Sequence, residues 1–146
     1  MNLKQLAFPF MKEALHSRAL ERALPDFARD FTRAPPPGDA AHLYHTAPGH
    51  FARDIAEQGV INTFPPDYGT EQDMWPDRGT ENRSYWTTTP GGTVPFAQDS
   101  PVLFRTPRSE RFQPERGTAD WFTREPVSPL EYYDVTGNWS PARRAR

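Results

Sequence analysis

The stretch HLYHTAPGHFARDIAEQGV, residues 42–60, decides the fold, because a strand, a turn and a helix can each be assigned within it. Residues 43–46, Leu-Tyr-His-Thr, have the aromatic and β-branched character of a short buried strand. Pro48 and Gly49 punctuate the chain directly after it. The sequence therefore predicts a strand that turns into a helix near residue 49.

The helix is predicted from the spacing of its apolar residues. Phe51 and Ile55 stand four residues apart, as do Ala52 and Ala56, so both pairs are expected on one face of the helix. Gly59 is expected to end it, because a helix commonly closes on a residue in the left-handed region, which glycine adopts without strain.

After this cap the chain is predicted to resume an extended path at Val60 and Ile61, so the unit is strand, helix, strand. His45 lies at the end of the first strand. A lone histidine on an apolar strand is either a hydrogen-bonded core residue or a residue that faces a cleft. The pattern leaves both roles open.

Length and composition indicate one domain with long connections. The chain has 146 residues, enough for a single hydrophobic core. Its 17 prolines and 9 glycines predict long loops, whereas an aromatic content of 13% argues against disorder. The net charge of -2 does not favour nucleic acid or an anionic membrane as a partner.

Cysteine is absent, which excludes disulfides, thiolate metal sites and a cysteine nucleophile. The apolar runs are too short to span a bilayer, and the N-terminus lacks the charged and apolar segments of a signal peptide. We therefore expect a cytoplasmic protein with no membrane association.

Three segments are predicted along the chain. Residues 1–34 have the pattern of a helical arm, in which leucine, alanine and phenylalanine recur at helical spacings and Pro25 breaks or kinks the helix. The prolines at 35–37 separate this arm from a domain at residues 40–141. Residues 142–146 form a short basic tail. We expect the arm to pack on the domain or to contact a partner.

Two further stretches carry candidate functional residues. Tyr85, Trp86 and Thr87 belong to a β-rich run, and Asp120 heads a short aromatic run. A buried strand is predicted between them at residues 101–105.

Taken in the order histidine, tyrosine, acid, these stretches resemble the His-Tyr-Glu/Asp branch of ADP-ribosyltransferase-like domains, which includes small single-domain members such as the rifamycin-modifying enzymes. The first core strand of that family typically reads Tyr-His-Gly-Thr before a helix, and residues 44–46 here read Tyr-His-Thr. The second family motif reads Tyr-Phe-Thr or Tyr-x-Thr/Ser, and residues 85–87 fit it. The resemblance implies an α+β fold, the split β-sandwich of these enzymes, with the helical arm outside it.

The resemblance also implies that NAD is the substrate. Breaking the nicotinamide–ribose bond develops positive charge on the ribose, so the site needs an anion near the sugar and a flat apolar surface for the leaving ring. His45 and Thr46 are expected to bind the dinucleotide, with the imidazole on a ribose hydroxyl. Tyr85 is expected to stack on the nicotinamide, with Trp86 and Thr87 beside it.

The catalytic acid is assigned by its position in the chain. Asp120 heads a strand and is favoured, while Glu125 comes second because it immediately precedes a proline. Glu115 and Glu110 lie close in sequence and stay open, and any of the four can equally be a surface charge.

Other kinds of site fit the sequence less well. It has no glycine-rich phosphate loop and no nucleophile-elbow motif. His42, His45 and His50 lack a carboxylate at a ligand-like spacing, so no metal site is predicted.

Several functions stay open besides transfer of ADP-ribose to a protein, a nucleic acid or a small molecule. They are NAD hydrolysis, RNA 2'-phosphotransfer and non-catalytic binding of a macromolecular partner on the same scaffold. A competent NAD pocket distinguishes the transferase and the hydrolase from the binding protein.

Overall fold

The computed structural model of the chain describes residues 25–63 and 83–143. The elements in chain order are β1 (His42–Ala47), α1 (Gly49–Gln58), β2 (Ser84–Trp86), a 3₁₀ helix (Gly91–Phe96), β3 (Val102–Pro107), β4 (Gln113–Pro114), β5 (Trp121–Thr123), β6 (Glu131–Tyr133) and β7 (Trp139–Pro141). This part of the chain is a mixed α+β structure, as predicted, with few helices and two antiparallel sheets. No helix in these ranges is long and apolar enough to cross a bilayer.

β1 and α1 form where the opening stretch predicts them. β1 contains residues 43–46, and α1 begins at Gly49. Gly59 follows α1 in the left-handed conformation, with φ of 73°, and its backbone N–H donates to the carbonyl of Ile55 at 2.7 Å. The predicted glycine cap is confirmed.

The buried face of α1 differs from the predicted one. Ala52 is fully buried and Ile55 packs against the core, three residues further along the same face. Phe51, which was predicted to share the apolar face, is 44% exposed, and its ring contacts His50. A phenylalanine one position before Ala52 points about 100° around the helix from it, at the edge of the buried stripe.

Beyond α1 the chain stays extended but forms a single bridge in place of the predicted strand. Ile61 pairs antiparallel with Val127 through backbone hydrogen bonds of 3.0 and 2.8 Å, and both side chains are buried. Val127 lies outside the strands, so the pairing does not extend further.

Within each sheet all neighbouring strands are antiparallel. The larger sheet has the order β1-β3-β6-β7, and the smaller has the order β2-β5-β4. Tyr44 on β1 and Thr87, just after β2, join the two sheets through backbone hydrogen bonds of 2.9 and 2.8 Å. Among the described residues β1 and β2 share this bridge alone, so the two sheets separate beyond it.

Hydrophobic residues pack on both faces of β1, because successive side chains of a strand alternate. Leu43 and Ala47 point into the larger cluster, and Tyr44 points into the smaller one. The larger cluster consists of Ala28, Leu43, Ala47, Ala52, Ile61, Trp86, Val102, Phe104, Phe112, Val127 and Leu130. The smaller consists of Phe31, Tyr44, Leu103 and Tyr133.

The helical arm was predicted for residues 1–34, of which residues 1–24 lie outside the described part of the chain. Residues 25–34 contain a turn and an isolated bridge and no helix. Ala28 pairs with Asp134 at the end of β6, and Phe31 is fully buried. The backbone of this segment thus bonds to the end of β6, and Phe31 belongs to the smaller hydrophobic cluster.

The predicted basic tail is tied to the domain at its start. The backbone N–H of Ala142 donates to the carbonyl of Leu130, and that of Arg143 donates to the carbonyl of Ala56, each at 2.9 Å. Residues 144–146 lie outside the described part.

Candidate functional site

His45 lies where β1 and β2 separate. Tyr44 and Thr87 exchange two backbone hydrogen bonds, and in a regular antiparallel ladder the next such pair would join Thr46 to Tyr85. In place of that pair, Nδ1 of His45 lies 2.7 Å from the carbonyl oxygen of Tyr85. The imidazole therefore occupies the gap that opens between the two strands.

This contact determines the protonation of the imidazole. A carbonyl oxygen only accepts hydrogen bonds, so Nδ1 carries the proton and Nε2 keeps its lone pair. Burial lowers the pKa of His45, and the hydrogen bond to the Tyr85 carbonyl opposes this with a smaller effect. The imidazole is therefore neutral at pH 7, with Nε2 as a hydrogen-bond acceptor.

Trp86 holds the imidazole from the core side. The centre of its ring lies 4.9 Å from that of His45 and 5.5 Å from that of Phe112. The side chain is fully buried, and the indole N–H donates to the hydroxyl of Ser84 at 2.9 Å. The structure thus places Trp86, a predicted ligand contact, behind His45 in the hydrophobic core.

The two threonines of the predicted site differ in their hydrogen bonding. The Thr87 hydroxyl donates to the carbonyl of Thr89 at 2.7 Å. The Thr46 hydroxyl oxygen is buried and has no hydrogen-bond partner in the described ranges. A buried polar group left unsatisfied costs about 1–3 kcal/mol. Strand alternation puts Thr46 on the Tyr44 face of β1 and His45 on the opposite face, so the unused donor and acceptor of Thr46 do not adjoin the imidazole.

The side chains of Tyr85 and His45 lie on opposite faces of β2. Ser84 and Trp86 are buried and Tyr85 between them is partly exposed, as expected from the alternation of a strand. The tyrosine ring lies 6.4 Å from that of Phe122, its pairing partner on β5. The Tyr85 carbonyl thus accepts a hydrogen bond from the imidazole, while its ring lies on the opposite face of β2. A ligand can contact both rings only around the edge where β1 and β2 separate.

The two predicted acids lie at opposite ends of β5. The β2–β5 register places Asp120 next to Thr87, and strand alternation puts it on the same face as Tyr85. Glu125 follows the other end of β5 and is exposed. The pairing therefore brings Asp120 to the Thr87 end of β2, where the bridge joins the two sheets, and Glu125 to the Ser84 end.

The structure also places the two remaining candidate acids, Glu115 and Glu110, in different parts of the chain. The backbone N–H of Glu115 donates to the carbonyl of Asp120 at 2.9 Å, so these two acids stand opposite each other across the β4–β5 turn. Glu110 is exposed in a turn before β4. Glu115 therefore lies beside Asp120, at the same end of the smaller sheet.

Two arginines on the tyrosine face carried no role in the sequence analysis. The guanidinium carbons of Arg83 and Arg124 lie 4.3 and 5.3 Å from the centre of the Phe122 ring. Each arginine is two residues from an aromatic residue of the same strand, so strand period places both on the Tyr85 face. That spacing is the signal in the sequence, but the pairing of β2 with β5 is needed to bring the two together.

The site offers a neutral acceptor, an aromatic face and a carboxylate. Within residues 25–63 and 83–143, no three histidine, aspartate or glutamate side chains are grouped closely enough to hold a metal ion. No protein-family model matches the sequence, and no curated protein or solved structure matches it either.

Proposed function

We propose that the protein is an NAD-dependent ADP-ribosyltransferase, which breaks the nicotinamide–ribose bond and transfers ADP-ribose to an acceptor. The observation that carries the proposal is the neutral imidazole of His45 in the gap between two separating strands. An imidazole in this tautomer accepts a hydrogen bond from a ribose hydroxyl at Nε2. The resemblance of residues 44–46 and 85–87 to the motifs of this family supports the same function.

In this proposal NAD binds around the edge where β1 and β2 separate. Nε2 of His45 binds a ribose hydroxyl, and Tyr85 stacks on the nicotinamide. Trp86 and Thr87 act indirectly, because Trp86 supports the imidazole and Thr87 holds the bridge between the sheets.

Asp120 stabilises the positive charge that develops on the ribose. The bond between the ribose and the nicotinamide nitrogen breaks with its electron pair on the nitrogen, so nicotinamide leaves as a neutral molecule. A lone pair of the acceptor then forms the new bond to the same ribose carbon, and the acceptor loses a proton. A carboxylate that is stationary before the bond breaks stabilises this cation without reorganisation.

The test of this role compares three carboxylates by nicotinamide release. Asp120→Asn keeps the shape of the side chain and removes its charge, so turnover should fall on the order of 10²- to 10³-fold with little change in NAD affinity. Glu125→Gln makes the same change at the far end of β5, and Asp54→Asn makes it on the exposed face of α1. We expect both of these variants to keep most of the wild-type rate.

The set of variants also identifies an error in the assignment. Loss of turnover in Glu125→Gln with a normal Asp120→Asn variant would transfer the role to Glu125. Wild-type rates in all three variants would show that none of these carboxylates takes part in the reaction. Nicotinamide release without labelling of any acceptor would identify an NAD hydrolase.

One observation favours a second candidate function, a non-catalytic binding protein on the same scaffold. The side chains of His45 and Tyr85 lie on opposite faces of β2, whereas an enzyme must bring both to one bound molecule. A protein that does not bind NAD, by the thermal measurement described below, would be assigned to this class.

A further inference from the structure

A pair of arginines covers Phe122 on the outer face of the smaller sheet. Arg83 immediately precedes β2 and Arg124 immediately follows β5, and the pairing of Ser84 with Thr123 puts the two arginines opposite each other. Both guanidinium groups lie within the range of a cation–π contact with the Phe122 ring, at 4.3 and 5.3 Å. One ring therefore positions two positive charges.

Neither charge is neutralised by the described part of the chain. Arg105 forms an ion pair with Glu131 at 2.8 Å, and Arg53 forms one with Asp26 at 3.3 Å. Arg83 and Arg124 form no ion pair or hydrogen bond with any residue in ranges 25–63 and 83–143. Stacking on a ring leaves the N–H groups at the edge of a guanidinium available, and these groups match a phosphate in a bidentate geometry.

The surroundings of this pair favour a small nucleotide over a long polyanion. Tyr85 lies beside Phe122 on the same face and is partly exposed, and an aromatic ring of this kind stacks on a base. The net charge of the chain is -2, and the arginine pair is not part of a generally basic protein. A nucleic acid backbone is usually bound by a broad basic surface, whereas a diphosphate needs only two adjacent cations.

We propose that Arg83 and Arg124 bind the diphosphate of a nucleotide. This inference rests on the proposed function, since it assigns the diphosphate of NAD to the arginine pair and its nicotinamide half to Tyr85. The sheet then holds the dinucleotide along one face, from the arginines past the tyrosine to the edge at His45.

The test measures binding of ADP and of adenosine by titration calorimetry, because ADP carries the diphosphate and adenosine does not. The wild-type protein should bind ADP more tightly than adenosine, and the difference should shrink as salt is raised. Arg83→Gln and Arg124→Gln should each raise the Kd for ADP on the order of 10-fold, the effect of one lost charged hydrogen bond. Their Kd for adenosine should stay unchanged.

A matched control is Arg116→Gln, which removes an exposed arginine from the β4–β5 turn and should leave ADP binding at the wild-type value. Arg83→Lys keeps the charge without the planar group and should restore part of the affinity. Circular dichroism of each variant establishes that it is folded. A double variant Arg83→Gln, Arg124→Gln that binds ADP as the wild type does, or a wild-type protein that does not bind ADP, would overturn the inference.

Nicotinamide release from NAD separates this inference from the proposed function. ADP binding that depends on both arginines, without any nicotinamide release, supports the diphosphate site and counts against the transferase. Nicotinamide release whose KM for NAD is the same in the wild type and the double variant supports the transferase and overturns the diphosphate site.

Discussion

His45 combines a structural role and a chemical role, because its two ring nitrogens are in different environments. Nδ1 satisfies the carbonyl of Tyr85 at a point where the pairing of β1 and β2 has ended. Nε2 is the acceptor that we propose for a ribose hydroxyl. Substitutions that distinguish the two nitrogens should therefore separate stability from activity.

We expect His45→Ala to lose both properties. It leaves the Tyr85 carbonyl without its partner, which costs about 1–3 kcal/mol of unfolding free energy. His45→Asn carries an amide near the position of Nδ1, so it can keep this hydrogen bond and should be more stable than the alanine variant. Neither variant has Nε2, so both should release nicotinamide more slowly and bind NAD more weakly.

Urea unfolding and nicotinamide release, measured on the wild type and on both His45 variants, test whether stability and activity depend on different nitrogens. An asparagine variant with wild-type turnover would show that Nε2 has no part in the reaction.

At the scale of elements, the start of α1 depends on close contact with the loop before β3. A Cβ added at Gly49 would lie 2.8 Å from the carbonyl oxygen of Ser100. The loop cannot readily move away, because Asp99 and Ser100 already have positive φ values of 30° and 55°, and the Asp99 carbonyl accepts a hydrogen bond from the N–H of Gly49 at 2.9 Å.

Gly49→Ala should therefore destabilise the protein by about 1–3 kcal/mol, the usual cost of overpacking. Gly91→Ala is the control, because the nearest atom to its added Cβ is 4.0 Å away and the change should stay within about 0.5 kcal/mol. Urea unfolding of both variants measures the difference, and equal midpoints would contradict the proposed contact.

The turn between β6 and β7 is held by one carboxylate. Asp134 accepts hydrogen bonds from the backbone N–H groups of Thr136 and Asn138 and from the hydroxyls of Thr136 and Ser140. These bonds, that from Ser140 first, lower the pKa of Asp134 to about 2. Gly137 in the same turn has φ of 83°, which favours glycine.

The lowered pKa of Asp134 predicts how stability depends on pH. The charged carboxylate stabilises the fold above its unfolded pKa of 3.8, and this contribution is lost as pH falls towards the folded value of about 2. Asp134→Asn should lower the urea midpoint at pH 7 and make its decline between pH 4 and pH 2 shallower. Asp54→Asn, on the exposed face of α1, should keep the wild-type decline, and an unchanged decline in the Asp134 variant would contradict the prediction.

At the scale of the whole molecule, a ligand that binds only the folded state raises its melting temperature by mass action. If NAD spans the edge between the two sheets, a concentration of 100 times Kd should add about 2.7 kcal/mol to the unfolding free energy. Tyr85→Ala should reduce the shift by removing the stacking surface, while Phe51→Ala, which removes an exposed ring on α1, should keep it. A wild-type melting temperature that saturating NAD leaves unchanged would favour the binding protein over the enzyme.

The sequence predicted those features whose causes lie within a few residues of one another. The glycine cap of α1 is an example, because the N–H of Gly59 bonds to a carbonyl four residues earlier. The strand at residues 43–46 is another, since its side chains suit a pleated buried surface. The mixed α+β class follows from such elements, whereas the candidate residues His45, Tyr85 and Asp120 come from the family resemblance and stay predictions.

The tertiary structure decided which of these residues meet, because that depends on pairing between distant segments. His45 bonds to a carbonyl 40 residues away, and no local pattern indicates that β1 and β2 part after a single bridge. The burial of Trp86 and the exposure of Tyr85 follow from the pairing of β2 with β5, since a shift of one residue would exchange their faces. The same register sets Arg83 opposite Arg124. By itself the sequence determined the local elements and the residue types available for chemistry, whereas only long-range backbone pairing decided the face on which each residue lies.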